Sequence, residues 1–495
     1  MATPGLLISA AHKSSGKTTV TLGIAAALTA RGHSVQPFKK GPDYIEPMWL
    51  GQACGRLCLN LDPMLMSGAE IEATLQRHGA GADLCLVEGN KGLYDGLALD
   101  GSNSNAALAR QLGLPVLLVI DARGMTRGIA PLILGYQAFE RDIRIGGVIL
   151  NQLGGARHEA KLRAVVEHYT DVPVLGAVQH DPRLELVERH LGLMPDRELD
   201  DAALRVQAMG RLIAEQVDLV RVLELAATRH APAALHSPVV PMARIAPRMQ
   251  APQRGTLRIG IARDKAFGFY YPDDLAALEA EGATLVPIDT LADVHLPALD
   301  GLFIGGGFPE LFMTELEANV SLRTELHRAI EGGLPTYAEC GGLMYLARTL
   351  NWNGRSARMV GVIPGDAVMH ARPVGRGYVR LEETEHFPWP GSPGQAGAAT
   401  RLGHEFHHSS LENLDPAVPT AYRVQRGHGI DGERDGVIVH NVLASYAHLR
   451  HTGGNDWPRR FMAFVREVGH ARGRPVRSVG QGMPARHAQR FTEAG

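Results

Sequence analysis

The chain has 495 residues, of which 45% are hydrophobic, and its 50 Lys and Arg residues against 52 Asp and Glu residues give a net charge of −2. Domains usually contain about 100–200 residues, so two large domains are expected. The composition is typical of a folded globular protein and excludes wholesale disorder, collagen-like and coiled-coil architectures. The nearly neutral charge removes any chain-wide electrostatic reason to bind nucleic acid or an anionic membrane.

The apolar segments are too short to cross a membrane. The longest, such as Leu114–Ile120, span about seven residues, whereas a membrane helix needs about 20. The N-terminus leads into a candidate strand without a signal-peptide pattern, which predicts a cytoplasmic protein. Four cysteines in the whole chain are too few for a disulfide framework, so each is judged by its own surroundings.

Between Leu6 and Val178, short apolar runs alternate with Gly-rich or acidic turns and with helix-length amphipathic segments. This alternation predicts an α/β fold with a doubly wound parallel sheet. The strands are rich in Val, Ile and Leu, as expected for strands covered on both faces. The six candidate strands are Gly5–Ala10, Ser34–Lys39, Asp83–Glu88, Pro115–Asp121, Gly146–Asn151 and Val174–Gln179.

A second α/β domain follows a Pro-rich connection. We expect the first domain at residues 1–230, an extended linker at 231–255, the second domain at 256–470 and a flexible basic tail at 471–495. The strand–helix rhythm restarts after the linker, which favours another parallel sheet. Its candidate strands are Thr256–Ala262, Thr284–Ile288, Gly301–Ile304, Pro335–Ala338 and Val437–His440.

The first candidate strand runs directly into a phosphate-binding loop. Residues 11–19 read AHKSSGKTT and precede an apolar helix, which is the context of a P-loop, although Ala11 replaces the usual first glycine. Lys17 would bridge the β- and γ-phosphates and Thr18 would ligate Mg²⁺. Asn151, ending a later strand, is placed to read an adenine base, but Asn there is also common as a cap or turn residue. The residues predicted to bind the nucleotide are Ser14, Ser15, Gly16, Lys17, Thr18 and Thr19.

Two acidic segments follow the second and third candidate strands, KKGPDYIEP at residues 39–47 and EGNKGLYDG at residues 88–96. Loops at the carboxyl ends of parallel strands converge on the ligand crevice. Carboxylates beside phosphates are favourable chiefly when Mg²⁺ lies between them. Glu88 is the preferred metal ligand and Asp43 the second, whereas Asp95 positions the substrate or a nucleophile. Each carboxylate taken singly could instead cap a turn or a helix.

A candidate nucleophile lies in the second domain. Residues 334–346 (LPTYAECGGLMYL) predict a strand, a Gly-flanked turn that carries Cys340, and a helix. This is the nucleophile-elbow arrangement, in which the helix N-terminus favours a thiolate. Gly306 and Gly307 follow another strand and can direct backbone N–H groups at an oxyanion. His448 is the best placed base among the 22 histidines, although Cys340 by itself would also suit a buried structural role.

Together these motifs resemble the cobyrinic or hydrogenobyrinic acid a,c-diamide synthases over about residues 5–465. Members of this family join an N-terminal ATP domain, related to dethiobiotin synthetase, to a C-terminal class I glutamine amidotransferase domain. The segments that carry the resemblance are SSGKTTVTLGIAAAL, KKGPDYIEP, VEGNKGLYDG, RHLGLMP, GGGFPE, YAECGGLMYL, GHEFHHS and ASYAHL.

The resemblance implies an activity. In this family, glutamine is hydrolysed at the cysteine and ammonia passes to the ATP domain, where it displaces phosphate from an activated acetate carboxylate of a tetrapyrrole, twice. Lys17 and Thr18 would then hold ATP and Mg²⁺, with Cys340 as nucleophile and His448 as its base. The acidic positions tied to Mg²⁺ and turnover are Asp43, Glu46, Glu88 and Asp95. The residues assigned to the tetrapyrrole or to glutamine are Glu46, Lys91, Tyr94, Arg189, His190, Gly306, Gly307 and Glu405.

The sequence departs from the family pattern at several positions. Arg450 stands where many glutamine amidotransferases carry a Glu, two residues after the catalytic His, so either Glu405 or no residue completes a triad. Asn90 and Lys91 replace residues that are usually apolar in the corrinoid enzymes, and Glu46 also varies the pattern. These differences are compatible with the same reaction but leave the identity of the tetrapyrrole substrate undecided. Related branches of the family amidate sirohaem for dissimilatory sulfite reductase or act on nickel-sirohydrochlorin.

Three other functions compete with this one. A partition-type P-loop ATPase that binds nucleic acid or a membrane would explain KSSGKTT and the basic tail, but not Cys340 or His448. Cobyric acid synthase has the same two-domain plan without so clear a phosphate loop, and a non-catalytic tetrapyrrole scaffold would not need both reactive sites. The sequence leaves a monomer and a homodimer both open.

Overall fold

A computed structural model of the chain describes residues 3–184, 188–189, 192–195, 201–230, 256–391 and 399–471. The predicted linker at 231–255, the tail beyond residue 471 and His190 lie outside the described residues. The described chain forms two α/β domains, each built around its own sheet. Among the described residues, no helix is long and apolar enough to cross a membrane.

The sheet of the first domain has seven parallel strands, in the order β3-β2-β4-β1-β5-β6-β7. The sequence predicted six of them. The additional strand has three residues and lacks any pattern that would distinguish it from a loop, but it pairs with β2 at the sheet edge. The strands are β1 (Gly5–Ala10), β2 (Val35–Lys40), β3 (Leu59–Leu61), β4 (Leu84–Gly92), β5 (Val116–Asp121), β6 (Ile145–Leu153) and β7 (Val174–Gln179).

Helices cover both faces of this sheet, as the doubly wound prediction required. Successive side chains of a strand point to opposite faces, so Leu6 and Ile8 join one hydrophobic core and Leu7 joins the other. One face packs against α1 (Lys17–Ala30), α2 (Ile45–Cys54), α7 (Ala202–Gln216) and α8 (Leu219–Ala227). The other packs against α3 (Gly68–Gly79), α4 (Asn105–Leu112), α5 (Ile129–Phe139) and α6 (Ala156–Tyr169). A short hairpin of β8 (Glu188–Arg189) and β9 (Gly192–Leu193) precedes α7.

Two strands run further than the sequence indicated. The prediction ended the third strand at Glu88, but β4 continues to Gly92 with an irregular register against β1. The buried amide of Asn105 holds this extension by donating to the carbonyl oxygens of Asn90 (2.6 Å) and Gly92 (3.0 Å). Likewise β6 extends past Asn151. In β4, side-chain bonds from the first residue of the following helix therefore order backbone that the local pattern assigned to a turn.

The second domain contains a ten-stranded mixed sheet, in the order β12-β10-β13-β15-β24-β23-β22-β19-β20-β25. The predicted parallel strands form one half of it, whereas Val437–His440 belongs to the antiparallel half, as β23. The other antiparallel strands were not predicted because their exposed polar residues break the apolar runs. The strands of this sheet are β10 (Leu257–Ala262), β12 (Ala283–Ile288), β13 (Gly301–Ile304), β15 (Thr336–Glu339), β19 (Gly375–Glu383), β20 (Thr400–His407), β22 (Thr420–Arg426), β23 (Arg434–Val439), β24 (Val442–Ser445) and β25 (His448–Leu449).

Smaller elements complete this domain. The additional strands are β11 (Phe267–Phe269), β14 (Gly306–Gly307), β16 (Ala347–Trp352), β17 (Arg355–Arg358), β18 (Ile363–Met369) and β21 (Ser409–Glu412). The helices are α9 (Pro272–Ala280), α10 (Met313–Ala318), α11 (Val320–Glu331), α12 (Gly341–Leu346) and α13 (Trp457–Ala471). The apolar stripe of α13, including Trp457 and Phe461, packs with Phe303 and Tyr337 of the sheet. This packing covers one face of the parallel half.

The two domains are joined by buried polar contacts around Arg450. Its guanidinium donates to the backbone carbonyl of Asn60 in the first domain (2.6 Å) and pairs with Asp273 in the second (2.8 Å). The hydroxyl of Tyr378 donates across the same boundary to Asp62 (2.9 Å). Since Arg450 follows β25 directly, these contacts tie the strand that carries His448 to the edge of the first sheet.

We predict that Arg450→Met lowers the free energy of unfolding by about 3 kcal/mol, because the variant leaves a buried carbonyl and a carboxylate without their cationic partner. Urea denaturation followed by tryptophan fluorescence measures the change. Arg380→Met, at an exposed position of β19, is the matched control and should change the value by less than about 0.5 kcal/mol. Equal stability of the two variants would contradict the assigned role of Arg450.

Candidate active site

The P-loop lies at the carboxyl end of β1 and leads into α1. Gly16 precedes the helix with a left-handed backbone (φ 79°, ψ 22°), a conformation that favours glycine. The amide of Asn151 donates to the carbonyl oxygen of Ser15 (2.8 Å), and a Cβ on Gly16 would clash with that amide. Asn151 thus stabilises the backbone of the P-loop through its side-chain amide. A contact between Asn151 and adenine remains a prediction from the sequence.

A buried cluster of alternating charges lies beside the loop. Lys17 forms an ion pair with Glu88, and Lys39 forms one with Glu46. Thr18 donates from its hydroxyl to Glu46 (3.1 Å), and Lys39 also donates to the carbonyl oxygen of Gly89 (3.1 Å). The structure therefore brings together the P-loop and both acidic segments that the sequence placed at this edge.

Burial and mutual attraction shift the titration of these groups. Burial lowers the pKa of Lys39 to about 8, although the charge of Glu88 acts in the opposite direction. Burial also raises the pKa of Asp43 above its usual value. For Glu88, burial would raise the pKa, but the charges of Lys17 and Lys39 hold it below the ordinary value. Glu88 is thus kept as a carboxylate in a buried position.

The same residues fit a magnesium ion. Glu88 Oε2 is buried without a hydrogen-bond partner and lies 3.7 Å from Lys39 Nζ. No cluster of three or more His, Cys, Asp or Glu side chains suited to a metal occurs among the described residues. Magnesium at nucleotide sites takes one or two carboxylates and the substrate phosphates, so Glu88 and Thr18, with Asp43 nearby, suffice as protein ligands.

The segment after Glu88 continues β4 to Gly92 and then leaves the sheet. Lys91 has a left-handed backbone (φ 49°) and an exposed side chain. Asp95 is also exposed, and its carboxylate accepts a bond from the N–H of Gly92 (2.9 Å). Tyr94 instead packs against α5, where its hydroxyl donates to the carbonyl oxygen of Tyr136 (2.6 Å). Lys91 and Asp95 are therefore available to a ligand, whereas the hydroxyl of Tyr94, predicted to contact the substrate, is engaged by α5.

Cys340 occupies a strained turn between β15 and α12, with φ 49° and ψ −101°. Such a backbone is costly for a residue other than glycine and is concentrated at functional sites. Gly341 and Gly342 permit the turn, since a Cβ on Gly341 would lie 3.0 Å from the backbone nitrogen of Gly307. The glycine loop predicted to hold an oxyanion thus packs directly against the nucleophile.

His448 contacts Cys340 and a carboxylate that the sequence did not identify. Its Nδ1 lies 3.4 Å from Oε2 of Glu339, the residue before the nucleophile. Burial alone would lower the pKa of His448, but its interactions with Cys340 and Glu339 raise it to about 10. A histidine held in its protonated form beside a cysteine is the arrangement expected of a catalytic cysteine site. By contrast, burial raises the pKa of Cys54 to about 12.

A side chain of the first domain enters this site. The ring of Tyr44 lies 5.3 Å from that of His448 and 5.6 Å from that of His404, and it stacks on Phe269 at 5.3 Å. The imidazole of His404 stacks in turn on His448 at 4.9 Å. Burial, together with the charge of His448, lowers the pKa of His404 well below its usual value. A neutral aromatic layer therefore covers one side of the base.

One cavity of about 710 Å³ connects the two chemistries. Its wall includes Asp43, Lys91 and Asp95 from the first domain and Cys340 and His448 from the second. The cysteine and the acidic loops therefore face the same cavity. The cavity is also large enough for part of a drug-sized or larger organic ligand.

Several predicted residues occupy other positions. Glu405 lines the cavity but accepts bonds from the N–H groups of His428 (2.7 Å) and Gly429 (2.9 Å), so the carboxylate that contacts His448 is Glu339 instead. Arg189 lies in the β8–β9 hairpin, and its side chain and His190 are outside the described residues. Sequence reasoning missed Glu339, Tyr44 and Asn105, although the first two lie inside the recognised motifs YAECGG and GPDYIE.

Comparison with protein-family models divides the chain in the same way. Residues 7–193 match the CobQ/CobB/MinD/ParA nucleotide binding domain. Residues 258–456 match the CobB/CobQ-like glutamine amidotransferase domain. The first match contains the P-loop and both acidic segments, and the second contains Cys340 and His448. The exact domain boundaries remain those predicted from the sequence.

Curated relatives are similar along nearly the whole chain. A cobyrinate a,c-diamide synthase from Magnetococcus marinus is 44% identical over 94% of this chain and 98% of its own length. The protein of the same name from Methanosarcina acetivorans is 42% identical over 90% and 92%, respectively. One from Listeria monocytogenes is 39% identical over 90% of this chain and 95% of its own length.

Proposed function

The chain belongs to the cobyrinate a,c-diamide synthase family, and on that premise we propose that it amidates the a and c acetate groups of cobyrinic or hydrogenobyrinic acid. It is a carbon–nitrogen ligase with glutamine as the amido donor. The observation that carries the proposal is the shared cavity, whose wall includes both Cys340 and the acidic loops. Mass spectrometry of the products formed from ATP, Mg²⁺, glutamine and each candidate ring tests it directly.

The glutaminase half follows from the contacts of Cys340. The thiolate attacks the side-chain amide carbon of glutamine, and backbone N–H groups near Gly306 and Gly307 stabilise the oxyanion. His448 donates its proton to the departing nitrogen, so ammonia leaves and a thioester remains. Water, deprotonated by His448, then hydrolyses the thioester to glutamate and restores the thiolate.

The ligase half uses the first domain. A carboxylate is a poor electrophile, and transfer of the γ-phosphoryl group of ATP gives an acyl phosphate that ammonia can attack with loss of phosphate. Lys17 would neutralise the transferred group, while Thr18, Glu88 and Asp43 would hold Mg²⁺, which supplies further charge neutralisation. Lys91, exposed at the cavity, would bind a ring carboxylate, and Asp95, exposed at the same cavity, would position the ring or the incoming ammonia.

One observation supports a second candidate tetrapyrrole as the substrate. Lys91 places a cation on the cavity wall beside Asn90, at two positions that we expect to be apolar in corrinoid enzymes. A polycarboxylate ring gains attraction from such a cation. Sirohaem, like cobyrinic acid, carries several acetate and propionate groups, so a sirohaem amidase is the alternative function of the same site.

Cys340→Ser should abolish glutamine-dependent amidation and leave ammonia-dependent amidation within about twofold of wild type, because the thiolate serves only to release ammonia. Product formation with glutamine and with ammonium chloride measures the two activities. Loss of both activities in a folded variant would contradict the division of labour. An absence of glutaminase activity in the wild-type enzyme would instead favour the partition-type ATPase.

Lys17→Ala should reduce ATP-dependent amidation by at least about 100-fold, since the lysine is the cation of the P-loop, while basal glutamine hydrolysis continues. The assay couples amide formation with glutamate release in the same sample. Lys161→Ala, at an exposed position of α6, should leave both rates unchanged. A normal amidation rate in the Lys17 variant would show that ATP binds elsewhere.

Lys91→Ala should raise KM for the ring about tenfold to 100-fold with little change in KM for ATP, as expected for one lost charge-assisted bond of about 1.5–3 kcal/mol. The paired change Asn90→Val and Lys91→Met should favour the corrinoid over sirohaem if this loop sets ring identity. The ratio of kcat/KM for the two rings measures the preference. An unchanged ratio would place ring selection elsewhere, in the Gly403–Ser409 segment or near Arg189.

A further inference from the structure

Glu339 has an unusual position for a glutamate. It ends β15 immediately before the nucleophile and is only 2% exposed. Its Oε1 accepts bonds from the N–H of Leu449 (2.8 Å) and the hydroxyl of Tyr337 (2.6 Å), while Oε2 faces Nδ1 of His448 at 3.4 Å. The carboxylate is therefore anchored by one oxygen and directed at the imidazole by the other.

We propose that Glu339 is the positioning residue of the glutaminase, the carboxylate that orients His448 and stabilises its protonated form. The inference rests on the glutaminase half of the proposed function. It assigns to the residue before the nucleophile a task that many glutamine amidotransferases give to a glutamate two residues after the histidine.

The neighbouring charged residues are engaged elsewhere. Arg450, at the position two residues after His448, carries the wrong charge and pairs with Asp273. Glu405 accepts bonds from backbone N–H groups of the 428–429 turn. With Nδ1 of His448 facing Glu339, Nε2 is the nitrogen left to exchange a proton with Cys340. The imidazole is thereby held in the orientation that the reaction needs.

The groups facing the imidazole define its pH dependence. They are Cys340 on the turn, Glu339 on β15, His404 on β20 and Tyr44 from the first domain. Glu339 itself faces Tyr337, and its charge also acts on Tyr44, Tyr270 and Asp274. Among these groups, Cys340 and Glu339 are the two that raise the pKa of His448.

Expulsion of ammonia requires the imidazolium, which persists below its raised pKa and is lost as pH rises through about 10. Removal of the carboxylate lowers that pKa, so the imidazolium must disappear at a lower pH. Glu339→Gln keeps the shape of the side chain and removes only its charge. We therefore expect the alkaline limb of the glutaminase profile to move by about one pH unit or more to lower pH.

The experiment measures kcat/KM for glutamate release across pH in the full-length enzyme. At pH 7.5 the Glu339→Gln variant should be about tenfold to 100-fold slower with glutamine and unchanged in ammonia-dependent amidation. Glu433→Gln, which changes an exposed glutamate of the same domain, is the matched control and should keep the wild-type profile.

An alkaline limb at the wild-type pH would overturn the proposal even if the rate falls, because a merely structural residue lowers the rate without moving the limb. If Glu339→Gln fails to fold, Glu339→Asp decides the question. This variant keeps the negative charge but places it one methylene group farther from His448. If the alkaline limb of its pH profile stays at the wild-type pH, the proposal is also overturned. Glutamate release needs neither ATP nor a ring, so this outcome is distinguishable from failure of the tetrapyrrole assignment.

Discussion

The packing of Tyr44 against His448 sets the geometry on which the rest of the site depends. Tyr44 follows Asp43 in the acidic loop of the first domain, yet its ring is buried among aromatic and imidazole rings of the second. A shift of the acidic loop would therefore disturb the contact between Tyr44 and His448. The contact places the acidic loop of the first domain beside the base of the second, on the wall of one cavity.

The buried charged residues near the P-loop are not explained by a contribution to the free energy of folding. Removing Lys39 and Glu88 from water costs about as much as their attraction returns, so such clusters contribute little net free energy to folding. Their value lies in binding, because Lys17 and Lys39 already stand where phosphate charge would be neutralised and Glu88 already stands where a metal ion would be held. The cluster holds these groups in place before the ligands arrive.

The sequence predicted most of the architecture and many of the residues that the structure brings together at the site, because those features follow from local patterns. Doubly covered strands and the P-loop carry their signals in consecutive residues. The antiparallel half of the second sheet lacks apolar runs, and β3 is too short for any period to show. Glu339 and Tyr44 were not identified from the sequence because their roles depend on contacts with residues more than 100 positions away. No local pattern contains such contacts.

The positions of Glu339 and Arg450 are best understood together. A carboxylate two residues after His448 would lie where the guanidinium of Arg450 now reaches the carbonyl oxygen of Asn60 across the domain boundary. With Glu339 supplying the carboxylate from β15, that position is free for a cation that joins the domains. In this arrangement a carboxylate still faces His448, and the strand that bears the histidine is joined to the edge of the first sheet by the guanidinium two residues later.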